Sequence, residues 1–119
     1  MIQSFSWIAL AMIHATPALA LFRPDWIGRL YGVDAGDKLF LLLHHRAALF
    51  LAIFVICIWA IFDPGARRLA SVAVGISMLA FLALYWMAGS PESLRSIAIA
   101  DAVGIPFLSY VLWRAFFSP

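Results

Sequence analysis

Apolar side chains run along this chain in four long blocks, each interrupted by only a few polar positions. The blocks extend over about residues 5–22, 38–62, 69–88 and 94–117. A bilayer core of about 30 Å needs about 20 residues of apolar helix, and each block meets or approaches that length. The breaks carry turn chemistry: Arg23-Pro24-Asp25 and Gly32 to Asp37 in the first, Asp63-Pro64-Gly65 in the second, Gly89-Ser90-Pro91 in the third. The pattern predicts an all-α integral membrane protein, a four-transmembrane-helix bundle forming one domain over residues 1–119. Ser90 or Ser93 is expected to cap the last helix, with Glu92 near its positive end.

Composition sharpens this picture. Apolar residues make up 66% of the chain and charged residues 12%, against roughly 45–50% and about 25% in ordinary soluble domains. A chain of 119 residues is too short to bury that excess in one core, so lipid is the expected solvent and the bilayer the first partner. The net charge of +2 comes from scattered basic residues, which excludes a nucleic-acid-binding stripe. A single cysteine, Cys57, lies within an apolar run and reads as a small buried hydrophobe. Ile8 to Ile13 followed by Ala18-Leu19-Ala20 has the look of a signal peptide. Met1 to Trp7, however, contains no Lys or Arg, and His14 and Pro17 interrupt the run, so the first helix is expected to stay.

Within the first loop, Trp26, Ile27, Leu30 and Tyr31 recur at helical spacing among Arg23, Asp25 and Arg29. They predict a short amphipathic turn in the headgroup layer. Trp86 and Tyr85 would anchor the same face, and Trp7, Trp59 and Trp113 the opposite one. We term the face of the first and third loops X and the other Y. Lys and Arg divide almost evenly between them, with Arg67-Arg68 in a very short Y loop tipping the termini towards the cytoplasm.

The candidate chemistry lies in residues that lipid disfavours: His14, His44, His45, Arg46 and Asp101. A charge near the bilayer centre costs about 2.5–3.5 kcal/mol on insertion scales, so such groups turn inward and find partners. At 1.5 Å per residue, His14, Arg46 and Asp101 all lie about 12 Å below face X. An Arg46–Asp101 ion pair with His14 beside it is the expected arrangement. Taking Arg46 as inward-facing puts His45 at the edge of the same face. His44 then points nearly opposite, towards another subunit or the interface. Pro17 and Pro106 each remove a helix hydrogen bond, freeing the carbonyls of Ile13 and Ala102 next to His14 and Asp101. Ala98, Ala102, Gly104 and Gly75 would allow close helix approach.

His14, His45, Arg46 and Asp101 are therefore the candidate ligand-binding set, with His44, Pro17 and Pro106 supporting it. The expected ligand is a small apolar molecule such as a quinone or isoprenoid-like lipid. Arg46 would meet an anion or carbonyl oxygen, Asp101 would orient Arg46, and a histidine would move protons. The alternative is an accessory or assembly subunit, homo-oligomeric or joined to a membrane partner, whose Arg-Asp-His cluster only fixes packing. No GxGxxG, P-loop, HExxH or GxSxG occurs, and adjacent histidines on a helix make a poor metal site. A haem or metal between His14 and His45 is the minor reading. Reaction and cofactor stay open.

Leu30-Tyr31-Gly32-Val33, Arg46-Ala47 and Asp101-Ala102-Val103-Gly104 give the chain a resemblance, over about residues 5–115, to the small four-helix inner-membrane proteins of bacteria grouped as DoxX-like. The resemblance implies a multi-pass bundle in a bacterial inner membrane, and some members of that group are associated with quinone-linked redox partners. The His44-His45 doublet maps onto no described function of that group.

Overall fold

The computed structural model describes residues 2–31 and 36–117, and within these the chain is all-helical. Helix α1 is Ile2–Leu19, α2 is Asp25–Tyr31, α3 is Leu39–Phe62, α4 is Arg67–Met87 and α5 is Arg95–Phe116. Single 3₁₀ turns, Pro64–Ala66 and Glu92–Leu94, lead into α4 and α5. The four long helices are the four blocks of the apolar pattern, and α2 is the amphipathic turn of the first loop. Residues 32–35 lie outside the described residues, and with them the Gly32-Val33 part of the first resemblance motif.

Three stretches are long and apolar enough to cross a membrane: Leu39–Phe62, Pro64–Met87 and Arg95–Phe116. Helix α1 is not among them, because Gln3, Ser4, Ser6, His14 and Thr16 dilute its 18 residues. It also ends earlier than the apolar pattern suggests, at Leu19 instead of Phe22. There the chain tightens into i→i−3 bonds, from the Ala20, Leu21 and Phe22 amides to the carbonyls of Pro17, Ala18 and Leu19.

Helix α1 is the hub. It packs along α3 and α5, while α4 packs on α5 and touches α3 more sparsely. The buried stripe on each helix follows three- and four-residue steps: Trp7, Leu10, Ala11, His14, Ala18 on α1; Ala47, Phe50, Cys57, Ala60 on α3; Ala70, Val74, Gly75, Met78 on α4; Ile97, Ala98, Asp101, Gly104, Leu108, Val111 on α5. Small residues crowd these stripes, which lets the helices approach closely. Gly104 shows how close: a Cβ there would stand 2.6 Å from both Ile13 Cδ1 and Met78 Cε. Ala102, expected among the small contact residues, is exposed instead.

At the Y end the core centres on Trp7, which is fully buried between the helices and is not the interface anchor its position suggested. Trp59 and Trp113 are exposed at that end, and Trp86 at the other. Helix α2 lies at the X end, inserting Ile27 among Ala20, Ala47 and Ile97. Pro91 and Leu94 occupy the cap positions without side-chain cap bonds, and Ser90 takes a positive φ of 54° in the turn after α4.

Candidate functional site

His14, Arg46 and Asp101 do meet at one level. Gly104 on α5 faces Leu10 and Ile13 on α1 and Met78 on α4, so Asp101, one turn nearer face X, is level with His14 and the Phe81 region. The Phe50 ring stands beside the His14 imidazole, centroids 5.8 Å apart. The Arg46 guanidinium lies over Phe50 at 5.0 Å and over Phe81 at 4.9 Å. Two rings thus clasp the cation, an arrangement worth about 0.5–2 kcal/mol per contact depending on desolvation.

Asp101 is buried in the middle of the α5 stripe, and Arg46 is the charged group whose field acts on it. Among the described residues the ion pair within 4 Å is Arg23–Asp25, outside the helical blocks, at 3.3 Å. There the Arg23 hydrogen bond holds the Asp25 carboxyl below the usual carboxylate range. The Arg46 guanidinium extends towards the Phe50 and Phe81 rings.

His14 is fully buried, and its Nδ1 lies 2.8 Å from the Leu10 carbonyl one turn back. A carbonyl only accepts, so Nδ1 carries the proton and Nε2 presents a lone pair. That Nε2 is buried and has no hydrogen-bond partner among the described residues. Pro17, buried one turn further on, has no amide proton to offer the Ile13 carbonyl.

The two neighbouring histidines exchange their expected places. His44 turns inward, and its Nε2 donates to the Leu21 carbonyl at 2.9 Å, while its ring meets Phe40 edge-on. It satisfies one of the carbonyls left over where α1 ends. His45 is exposed on the opposite side of α3. It therefore shares no pocket with buried His14, which removes both its place in the candidate set and the haem or metal reading that joined them. Pro106 lies inside α5 with its ring exposed. Among the described residues, no three His, Cys, Asp or Glu side chains converge.

Beside this level lies a feature the sequence pattern did not disclose: a groove of about 450 Å³ between α3 and α4. Arg46, Phe50, Phe81 and Leu84 form its X end. From Leu84 to Ala73 it runs along α4 for about 16 Å at the helical rise. Leu49 and Ile76 flank it from exposed positions, so it opens sideways, and Ser77 is its one polar side chain besides Arg46. The sparse α3–α4 packing leaves this space. The signal present in the sequence was Phe50, one helical turn from Arg46 and able to fold a ring against it.

Compared with protein-family models, curated proteins and solved structures, the chain matches none.

Proposed function

We propose that this chain is a multi-pass membrane protein that holds an amphiphilic, largely apolar molecule in the groove between α3 and α4, its oxygen-bearing head at Arg46. Membrane insertion of all four long helices is part of the proposal. Between 17% and 33% of the residues in the most apolar stretch of α3, α4 and α5 are buried. The rest, including Leu41, Leu42, Leu69 and Ile76, turn apolar surface outward on a scale water does not tolerate. Helix α1, about 27 Å long over its 18 residues, has Ser6 and His14 within the bundle, where lipid does not meet them. Residence in a bacterial inner membrane with cytoplasmic termini is supported by the DoxX-like resemblance and by the arginines at the Y end.

The observation that carries the reading is a cation clasped by two aromatic rings at the head of an otherwise apolar groove. The volume lies within the range of about 300–1,000 Å³ common to small-molecule sites. A carbonyl, as in a quinone, or a small anionic head on an isoprenoid-like tail would meet the Arg46 donors while the tail follows the groove. The geometry favours binding over catalysis: Phe50 stands between the His14 ring and the groove, so His14 acts on a bound head only after that ring moves.

The test is purification in a mild detergent, an ultraviolet–visible spectrum, and mass spectrometry of the organic extract. A stoichiometric quinone or isoprenoid-like lipid is expected, retained by the parent chain and lost in Arg46→Lys, which keeps charge but loses the planar fork. Normal retention by Arg46→Lys, or recovery of bulk phospholipid alone, would overturn the reading.

Burial of Asp101 favours the packing role as the rival. Under that role Asp101→Ala destabilises the bundle and adding Arg46→Leu restores it. Under the binding role Arg46→Leu leaves the fold largely intact and empties the groove.

A further inference from the structure

The Y end holds a second pocket, of about 330 Å³, between the start of α1, the Asp63–Ala66 turn, the start of α4 and the end of α5. Three arginines line it: Arg67 and Arg68 from α4 and Arg114 from α5, with Gln3 of α1 beside them. No Asp or Glu is among its lining residues. The nearby Asp63 is engaged elsewhere, accepting from the Gly65 amide at 3.0 Å and from Trp59 Nε1 at 3.1 Å.

The arginines are fixed rather than loose. Arg67 donates from Nε and Nη2 to the Ala60 and Ile61 carbonyls at 2.7 and 3.1 Å, closing the end of α3. Arg68 donates from Nε to the Ala115 carbonyl at 3.3 Å near the end of α5 and lies 5.2 Å from the Phe116 ring centre. These bonds use two of the five N–H donors of Arg67 and one of those of Arg68. The Nε of Arg114 is buried and has no partner among the described residues. Carbonyl capping therefore explains part of Arg67 and Arg68 and none of Arg114.

Charge bookkeeping by sequence isolates this end. Arg23, Arg29, Lys38 and Arg95 at the X end stand against Asp25, Asp34, Asp37 and Glu92, four against four. At the Y end Arg67, Arg68 and Arg114 stand against Asp63 alone, three against one. The chain's net charge of +2 is thus concentrated here. Arg67 and Arg68, held by their own hydrogen bonds, and Arg114 beside them repel one another, and a multivalent oxyanion between them relieves that repulsion. Exposed Trp59 and Trp113 at the same end suit the depth of lipid headgroups.

We propose that this three-arginine pocket is a phosphate-binding site whose occupant is the headgroup phosphate of an anionic phospholipid, with free inorganic phosphate as the alternative source of the same chemistry. Basic pockets between membrane helices hold anionic headgroups in this way.

The full chain in a mild, uncharged detergent serves for the test, with thermal unfolding and native mass spectrometry as readouts. Phosphatidylglycerol is expected to raise the melting temperature and to stay bound, where phosphatidylcholine at the same mole fraction does neither. Arg114→Gln is expected to weaken phosphatidylglycerol retention about tenfold, the loss of one charge-assisted hydrogen-bonding group. Arg23→Gln, at the X end, should leave retention unchanged. A shift of equal size from inorganic phosphate supports the phosphate site and names the free anion as sufficient. Equal retention of the two lipids by the parent chain overturns the proposal without recourse to any variant, and so does full retention by a folded Arg114→Gln chain.

Discussion

The two sides of α3 are built on different principles. Towards α1 it presents Ala47, Phe50, Cys57 and Ala60, a stripe that is buried along most of its length and includes three small residues. Towards α4 it presents Leu49, Ala52 and Ile53 across a groove of about 450 Å³ with a cation at its head. One side is filled by the protein itself, and the other leaves room for something else. Under the proposed function, the open side is where a ligand would be exchanged without disturbing the closed one.

The comparison breaks first at the closed side. Trp7→Ala should cost about 3 kcal/mol in detergent unfolding, the lower end of the large-to-small range, because in the proposed bilayer setting the cavity remains but the water-transfer part is largely absent. Leu49→Ala on the open side should shift stability by less than about 0.5 kcal/mol. Comparable losses at both positions would remove the distinction. Next, Ile76→Trp should fill the groove and lower ligand retention at least about tenfold, equivalent to about 1.4 kcal/mol, with the melting temperature unchanged. Retention at the parent level would place the ligand elsewhere.

Smaller effects sharpen the contrast. His44→Ala removes the donor to the Leu21 carbonyl and should cost about 1 kcal/mol, with α1's end losing protection in hydrogen exchange at residues 18–22. The glycines should divide by direction. At Gly75 an added methyl meets Leu108 and Leu112 at 3.9 Å, ordinary contact, so Gly75→Ala should stabilise by up to about 1 kcal/mol through helix propensity. Gly104→Ala must displace the tips of Ile13 and Met78 and should gain nothing or lose stability. Equal behaviour of the pair in thermal unfolding would count against the close α1–α5 approach.

The long helices were legible because run length and turn residues act locally. Their termini moved by at most three residues, at α1 where the final turn tightens into i→i−3 bonds. The histidines show where the sequence misleads. By the rule that charge avoids lipid, Arg46 marks the inward face of α3. A long guanidinium stem lets the charge escape sideways to aromatic rings without pointing its Cα inward. The better marker was the spacing of Ala47, Cys57 and Ala60, small residues where backbones come close; one turn before Ala47 on that same stripe is His44, and His45 falls on the far side. The depth of His14, Arg46 and Asp101 could be read from helical rise alone. The groove could not, because it arises from how loosely two helices meet, and no single residue encodes that.

The sideways opening of the groove sets how its occupant would arrive in the proposed bilayer setting. A molecule entering between Leu49 and Ile76 comes from within the membrane, by diffusion in two dimensions, already stripped of water. Its governing concentration is then a mole fraction among lipids, so adding empty bilayer at constant protein and ligand dilutes it as surely as adding buffer dilutes a soluble substrate. Affinity for this protein is properly a ratio of occupancy to membrane composition, and a value expressed per litre of solution would change with every change in the amount of lipid.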